Sequence, residues 1–325
     1  MRSKMLEYRA RTMPGKLKTK LSFLPYSEEE YNNDFRSILP STKARMEVFP
    51  QRANLRSHLI SFNGGLRKTS FRPRDPTNKI YLFGGSTMLC EKVPDDYTIA
   101  SQLQKIVNSK STPPGKRYEV INCGVRGASL NGIYELFKQT DILKGDICLF
   151  YFGVHEFHES TLDFKFRSPL HKIRLLKQSE NLLKKIQLQL LIRHFNKLKV
   201  FSIDTLNVDK IVKDDENLLN LSNMRCQSNE VKFLAILHPV FFTRGSLTKF
   251  DKVHNWHQDN AVNAARRFLF EELANTYKKF KFFYDGRGIF NDTNMDVYVD
   301  WCHLNYLGNK TVANYLDTIL EQQLL

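Results

Sequence analysis

The stretch Ile80-Tyr81-Leu82-Phe83-Gly84-Gly85-Ser86-Thr87 decides how the chain is read. Four apolar residues in a row predict a buried strand. The glycine pair that follows turns the chain and leaves no side chain to crowd the hydroxyl of Ser86. A serine presented at the end of a buried strand suits a nucleophile, and the rest of the chain can be searched for its partners.

Moving outward, strand and helix signals alternate. A helical pattern over 97–109 places Ile99, Leu103, Ile106 and Val107 on one face, and Pro113-Pro114-Gly115 ends it. Tyr118-Glu119-Val120-Ile121-Asn122 predicts a second strand, and Gly124, Gly127 and Gly132 surround a turn into a helix at about 130–140. Ile147-Cys148-Leu149-Phe150-Tyr151-Phe152, closed by Gly153, is apolar throughout, as a strand buried on both faces of a parallel sheet requires. Further strands are expected at 199–203, 231–237 and 280–284, with helices near 258–276 and 307–322. The segment 208–229, rich in Asp, Asn and Ser, reads as a loop. The order predicts a three-layer α/β/α domain with a mainly parallel sheet.

Candidate partners for Ser86 lie near the other end of the chain, in Asp300-Trp301-Cys302-His303. A carboxylate three positions before a histidine can hold the imidazole for proton transfer, the arrangement that nucleophilic acyl transfer needs. Arg126, two residues after Gly124, is a candidate for gripping an anionic substituent, and Trp256, flanked by His254 and His257, for rimming a sugar site. His238, before Pro239, reads as strand-end packing or loop bonding. No compact set of His, Cys and Asp has the spacing of a zinc site, and no metal is expected.

Composition sets the outer limits. Of 325 residues, 42% are hydrophobic and 12% aromatic, which suits a globular protein with a sizeable core. No apolar run reaches the roughly 18 residues of a membrane span, and no leader pattern follows Arg2 and Lys4. The five cysteines are scattered without CxxC spacing, which favours a reducing compartment and a cytoplasmic location.

Residues 1–79 hold 17 Lys and Arg against 7 acidic residues, are punctuated by prolines, and read as a basic arm packed on a domain of residues 80–325. Residues 165–199 add ten basic residues to one acidic one, contributing to a net charge of +15. Such charge attracts polyanions, whether an acidic or lipid-linked glycan or an anionic membrane surface. Zinc-finger, RNP-like and KH-like patterns are all missing, so nucleic acid is not the expected partner.

Four of these segments, in order and each at a strand end, resemble the SGNH or GDSL-like hydrolase family. The matching stretches are Gly84-Gly85-Ser86-Thr87, Asn122-Cys123-Gly124, Gly153-Val154-His155-Glu156 and Asp300-Trp301-Cys302-His303. The resemblance covers about 80–325, and Ser61-Phe62-Asn63-Gly64-Gly65-Leu66-Arg67 is similar to the lead-in of longer bacterial members. It implies a flavodoxin-like fold with Ser86 as nucleophile, His303 as base and Asp300 as its orienting acid. It also implies the Gly124 N–H as an oxyanion donor, with His155 standing where the family has a donating asparagine. Glu156 is expected to brace a neighbouring loop.

The implied activity is that of a serine esterase or O-acyltransferase, most simply an O-acetyl one, acting on a carbohydrate, with a role in polysaccharide biosynthesis. No cofactor is implied, apart from an acyl donor such as acetyl-CoA for a transferase. The alternative is a catalytically impaired SGNH-fold scaffold or glycan-binding protein, since His155 departs from the family pattern.

Overall fold

A computed structural model of the chain describes residues 29–30, 33–34, 55–109, 117–156, 208–248 and 261–324. The expected strand at 199–203, the basic segment 165–199 and the loop of His254, Trp256 and His257 lie outside the described residues.

Eight strands form one sheet: β1 (Leu55–Arg56), β2 (Ser61–Asn63), β3 (Leu66–Arg67), β4 (Asn78–Gly84), β5 (Tyr118–Gly124), β6 (Ile147–Phe152), β7 (Lys232–Leu237) and β8 (Phe283–Asp285). Their spatial order is β1-β2-β3-β5-β4-β6-β7-β8. From β4 onward every pairing is parallel. The five parallel strands, numbered within themselves, run 2-1-3-4-5, the doubly wound order of flavodoxin-like sheets.

The α-helices that flank the sheet are α1 (Ser86–Leu89), α2 (Ile99–Ser109), α3 (Leu130–Lys138), α4 (Val208–Ser228), α5 (Ala261–Tyr277) and α6 (Tyr306–Leu324), with short 3-10 turns at Asp95–Tyr97 and Phe241–Thr243. Strand periodicity divides the core between the two faces of the sheet. Tyr81 and Phe83 of β4 point into a cluster with Leu130, Ile133 and Phe137 of α3, Leu219 and Cys226 of α4, and Leu269 and Leu273 of α5. Ile80 and Leu82 point the other way, toward Ile99 and Leu103 of α2 and Val312, Leu316 and Ile319 of α6. The three-layer α/β/α architecture expected from the sequence is thus present. No helix among the described residues is long and apolar enough to cross a membrane.

Residues 208–228, expected as a loop, form the 21-residue helix α4. Ile211, Val212, Asp215, Leu218, Leu219, Ser222 and Cys226 fall at helical spacing on the face that meets the core. Polar residues hold two of those inward positions, which blurs the apolar stripe in the sequence. Packing on the sheet supplies what propensity does not.

Residues 55–67, assigned by composition to the arm, extend the sheet. The β3 strand pairs antiparallel with β5 through Arg67 and Asn122. The Arg67 side chain is buried. Its Nε donates to Asp95 Oδ1 at 3.1 Å, and its Nη atoms donate to the carbonyls of Leu89, Cys90 and Val93 at 2.8, 2.8 and 2.6 Å. Further back, Asp34 accepts the backbone N–H groups of His58 and Leu59 at 3.1 and 2.8 Å.

Candidate active site

Strand register gathers the site at one rim. Gly84, the last residue of β4, lies level with Gly124 of β5 and Tyr151 of β6. The loops that leave these strands therefore emerge together, at the carboxyl ends where the strand order reverses. That crevice is where open α/β sheets bind their ligands.

Ser86 is the first residue of α1 and is buried. Its N–H belongs to the helix-terminal group that has no acceptor within the helix. Tight packing between α1 and the ends of β4 and β5 fixes this turn. A Cβ on Gly124 would lie 2.2 Å from the Leu89 nitrogen, so only glycine fits there.

His303 Nε2 lies 2.9 Å from Ser86 Oγ. On the other side of the ring, Nδ1 lies 2.7 Å from Asp300 Oδ2. Asp300 Oδ1 also accepts the backbone N–H groups of Cys302 and His303 at 3.0 and 2.8 Å. Burial pushes the Asp300 carboxyl upward, but hydrogen bonds from the His303 ring and backbone, the charge of that ring, and nearby Lys92 outweigh burial and hold it well below the usual carboxylate range. With Asp300 anionic, the proton of the neutral ring sits on Nδ1, and Nε2 keeps a lone pair aimed at the serine.

Cys302 lies within the same loop, its Sγ 3.5 Å from His303 Nδ1 and 3.6 Å from Asp300 Oδ1. Burial and the Asp300 charge push its thiol well up. Asp300, Cys302 and His303 place their ligand atoms within 4.8 Å of one another, the only such group of three among the described residues. Cys302 and His303 both contact Asp300, and of the three His303 is the one bonded to Ser86.

His155 stands at the end of β6. Its Cδ2 and Nε2 lie 3.1 and 3.6 Å from where a Cβ on Gly85 would sit, beside the Ser86 turn. Glu156 braces this loop, with Oε1 accepting the Leu130 N–H at 2.8 Å and Oε2 the Gly153 N–H at 3.0 Å. The bracing expected of Glu156 is therefore seen, across the gap between β6 and α3. His238 is strand-end packing: its ring lies 5.0 Å from that of Tyr151, and Nδ1 donates to Pro239 O at 2.7 Å. Burial lowers its pKa to about 3 and keeps it neutral.

One expectation is corrected. The Gly124 N–H donates to the Asn122 side-chain oxygen at 2.9 Å, so it is already committed. Gly124 is a packing glycine set against α1. Three residues on, Gly127 takes φ +79° in the turn closed by the Ala128 N–H to the Val125 carbonyl at 3.2 Å. The Gly127 N–H has no hydrogen-bond partner among the described residues. The turn adjoins the serine loop, since Ala128 O lies 3.1 Å from the Cβ position of Gly85. Its signal in the sequence was the second glycine of Gly124-Val125-Arg126-Gly127.

Arg126 projects from the same turn, and its Nε lies 2.9 Å from Glu91 Oε2. Glu91 was not singled out from the sequence, yet its other oxygen is 3.6 Å from His303 Nε2. Ser86, His303, Asp300, His155 and Arg126 therefore come together at one rim, while Trp256 lies outside the described residues.

Fold and site define an α/β protein with a hydrogen-bonded serine–histidine–aspartate array at the carboxyl ends of a parallel sheet. No protein-family model matches the chain, and no curated protein matches it. Among solved structures, it is similar to an acetyl xylan esterase, AlAXEase, at 16% identity and TM-score 0.42, over 74% of this chain and 98% of that one. A member of the lipolytic G-D-S-L family from Veillonella parvula matches at 12% identity and TM-score 0.42, over 75% and 98% of the two chains. Axe2, an acetylxylan esterase from Geobacillus stearothermophilus, matches at 14% identity and TM-score 0.40, over 74% and 93%. The chemistry of those proteins is theirs; that of this chain follows from its own geometry.

Proposed function

We propose that the protein is a serine-dependent esterase or O-acyltransferase that acts on an O-acylated carbohydrate. The observation that carries this reading is the continuous bond path from Asp300 through His303 to Ser86, with separations of 2.7 and 2.9 Å.

In the first half of the cycle, Ser86 Oγ gives its proton to His303 Nε2 and attacks the carbonyl carbon. The resulting oxyanion receives the N–H groups of Ser86 and Gly127, with His155 as the side-chain donor. The bond from carbon to the alcohol oxygen then breaks, and His303 Nε2 returns its proton to that oxygen. The acyl group is left on Ser86.

In the second half, an acceptor hydroxyl gives its proton to Nε2 and attacks the acyl carbon. The bond to Oγ breaks and the serine recovers its proton. Water as acceptor completes hydrolysis; a sugar hydroxyl completes transfer. Asp300 keeps the ring in place through both halves.

The motif resemblance supports acetyl as the acyl group and a sugar as its carrier. The basic composition suits an acidic or lipid-linked glycan handled in the cytoplasm during polysaccharide synthesis. The test is a fluorophosphonate probe with peptide mass spectrometry, using Ser86→Ala and His303→Ala as controls. An adduct at Ser86 that depends on His303 is expected. Folded protein that takes up no probe and cleaves no small acetyl ester would overturn the reading.

A further inference from the structure

Glu91 has no place in the mechanism above, yet its side chain is only 5% exposed and it faces the catalytic base. A buried carboxylate is costly unless compensated. It also opposes an oxyanion forming nearby. Arg126 Nε at 2.9 Å and Lys92 Nζ at 3.6 Å supply the compensation, with His303 Nε2 at 3.6 Å on the same side as Lys92. Lys92 also lies near the Asp300 carboxylate, so two cations face two carboxylates beside the serine, and Arg126 is the one carried on the open turn.

The closest approach of Glu91 to Arg126 is at Nε, 2.9 Å away. The Arg126 side chain is 38% exposed, on the turn that also presents the Gly127 N–H. A partly exposed guanidinium anchored beside a buried carboxylate can present its outer N–H groups to a carboxylate or phosphate.

We propose that Glu91 aims Arg126 as a specificity residue, and that the site selects esters carrying a carboxylate or phosphate close to the scissile bond. This rests on the serine esterase or acyltransferase reading. Glu91 is a positioning residue that ties the anion-reading cation to the base. Arg126 is the group that touches substrate.

The experiment compares kcat/KM for 4-acetoxybenzoate and 4-acetoxybenzamide, which differ in charge at one position, with fluorophosphonate labelling of Ser86 in parallel. The wild-type protein should prefer the anionic ester about tenfold, as befits a charge-assisted contact near the surface. The preference should shrink as salt is raised, and the ratio should approach one in Arg126→Gln. In a Glu91→Gln background, Arg126→Gln should change the ratio less than it does in the wild type.

A wild-type ratio near one with Ser86 labelled would overturn the anion selectivity alone, as would a preference that survives Arg126→Gln. Additive effects of the two substitutions would overturn the part assigned to Glu91. Folded protein with no labelling and neither ester cleaved would sink the serine reading, and this inference with it.

Discussion

Asp300 holds His303 at two points: its Oδ2 takes the ring nitrogen Nδ1 at 2.7 Å, and its Oδ1 takes the backbone N–H of the same residue at 2.8 Å. The ring and the peptide that carries it are thus fixed by one carboxylate. Replacing Asp300 by Asn puts an amide against Nδ1 and favours the wrong tautomer. The expected outcome is a fall in kcat of about 10⁴ with little change in KM, measured on a small acetyl ester.

The same carboxyl gives a pH signature. Its folded pKa is depressed, so the stability it contributes is fully present above the ordinary carboxylate value of about 3.9. That contribution is lost as pH falls toward the folded value. The difference in melting temperature between wild type and Asp300→Asn should be largest near neutrality and shrink below about pH 4. Thermal melts followed by circular dichroism decide it; a difference that grows toward acid would contradict the assignment.

His155 should act on the chemical step. His155→Ala should lower kcat by about 10² while KM moves little, the usual cost of one oxyanion donor. His155→Asn restores a donor of smaller reach and should retain more of the rate. Equal losses in the two variants would mean that the ring acts by packing against Gly85.

Glu156 satisfies two backbone donors on different elements, Leu130 N–H and Gly153 N–H. Glu156→Gln turns one acceptor into a donor and should cost about 1–3 kcal/mol of stability, read by urea denaturation. Activity per folded molecule should fall as well, because His155 is the preceding residue.

Arg67 is the stability prediction of greatest size. Removing it takes the guanidinium from the buried Asp95 carboxylate and from the carbonyls of Leu89, Cys90 and Val93, of which Cys90 keeps the Val93 N–H. Arg67→Met should cost about 3–5 kcal/mol. A loss under about 1 kcal/mol would mean that water replaces the guanidinium.

Much of this could be read from the chain because strand signals here are strong. Residues 147–152 are buried at every position, as an uninterrupted apolar run predicts. The Ser86 turn and the Asp300–His303 loop each lie in a short local motif, so they are visible without the fold. Glu91 and Gly127 are different: their importance comes from neighbours distant in sequence, and neither belongs to a periodic pattern. Helix α4 was hidden because Asp215 and Ser222 take inward positions usually held by apolar residues. Arg67 looked like one more cation of a basic arm, since four acceptors around a guanidinium appear only after packing.

The Ser86–His303 bond joins residues 217 positions apart. On the proposed reading, the nucleophile is made early in synthesis and its base late, with four of the eight strands, β5 to β8, between them. Until residue 303 has been made and its loop has docked, Ser86 lacks its hydrogen-bond partner His303. If the proposed triad operates, Ser86 reactivity is expected to appear only with nearly finished tertiary structure. Refolding from denaturant should show the same delay, with secondary structure regained before Ser86 reacts with a fluorophosphonate.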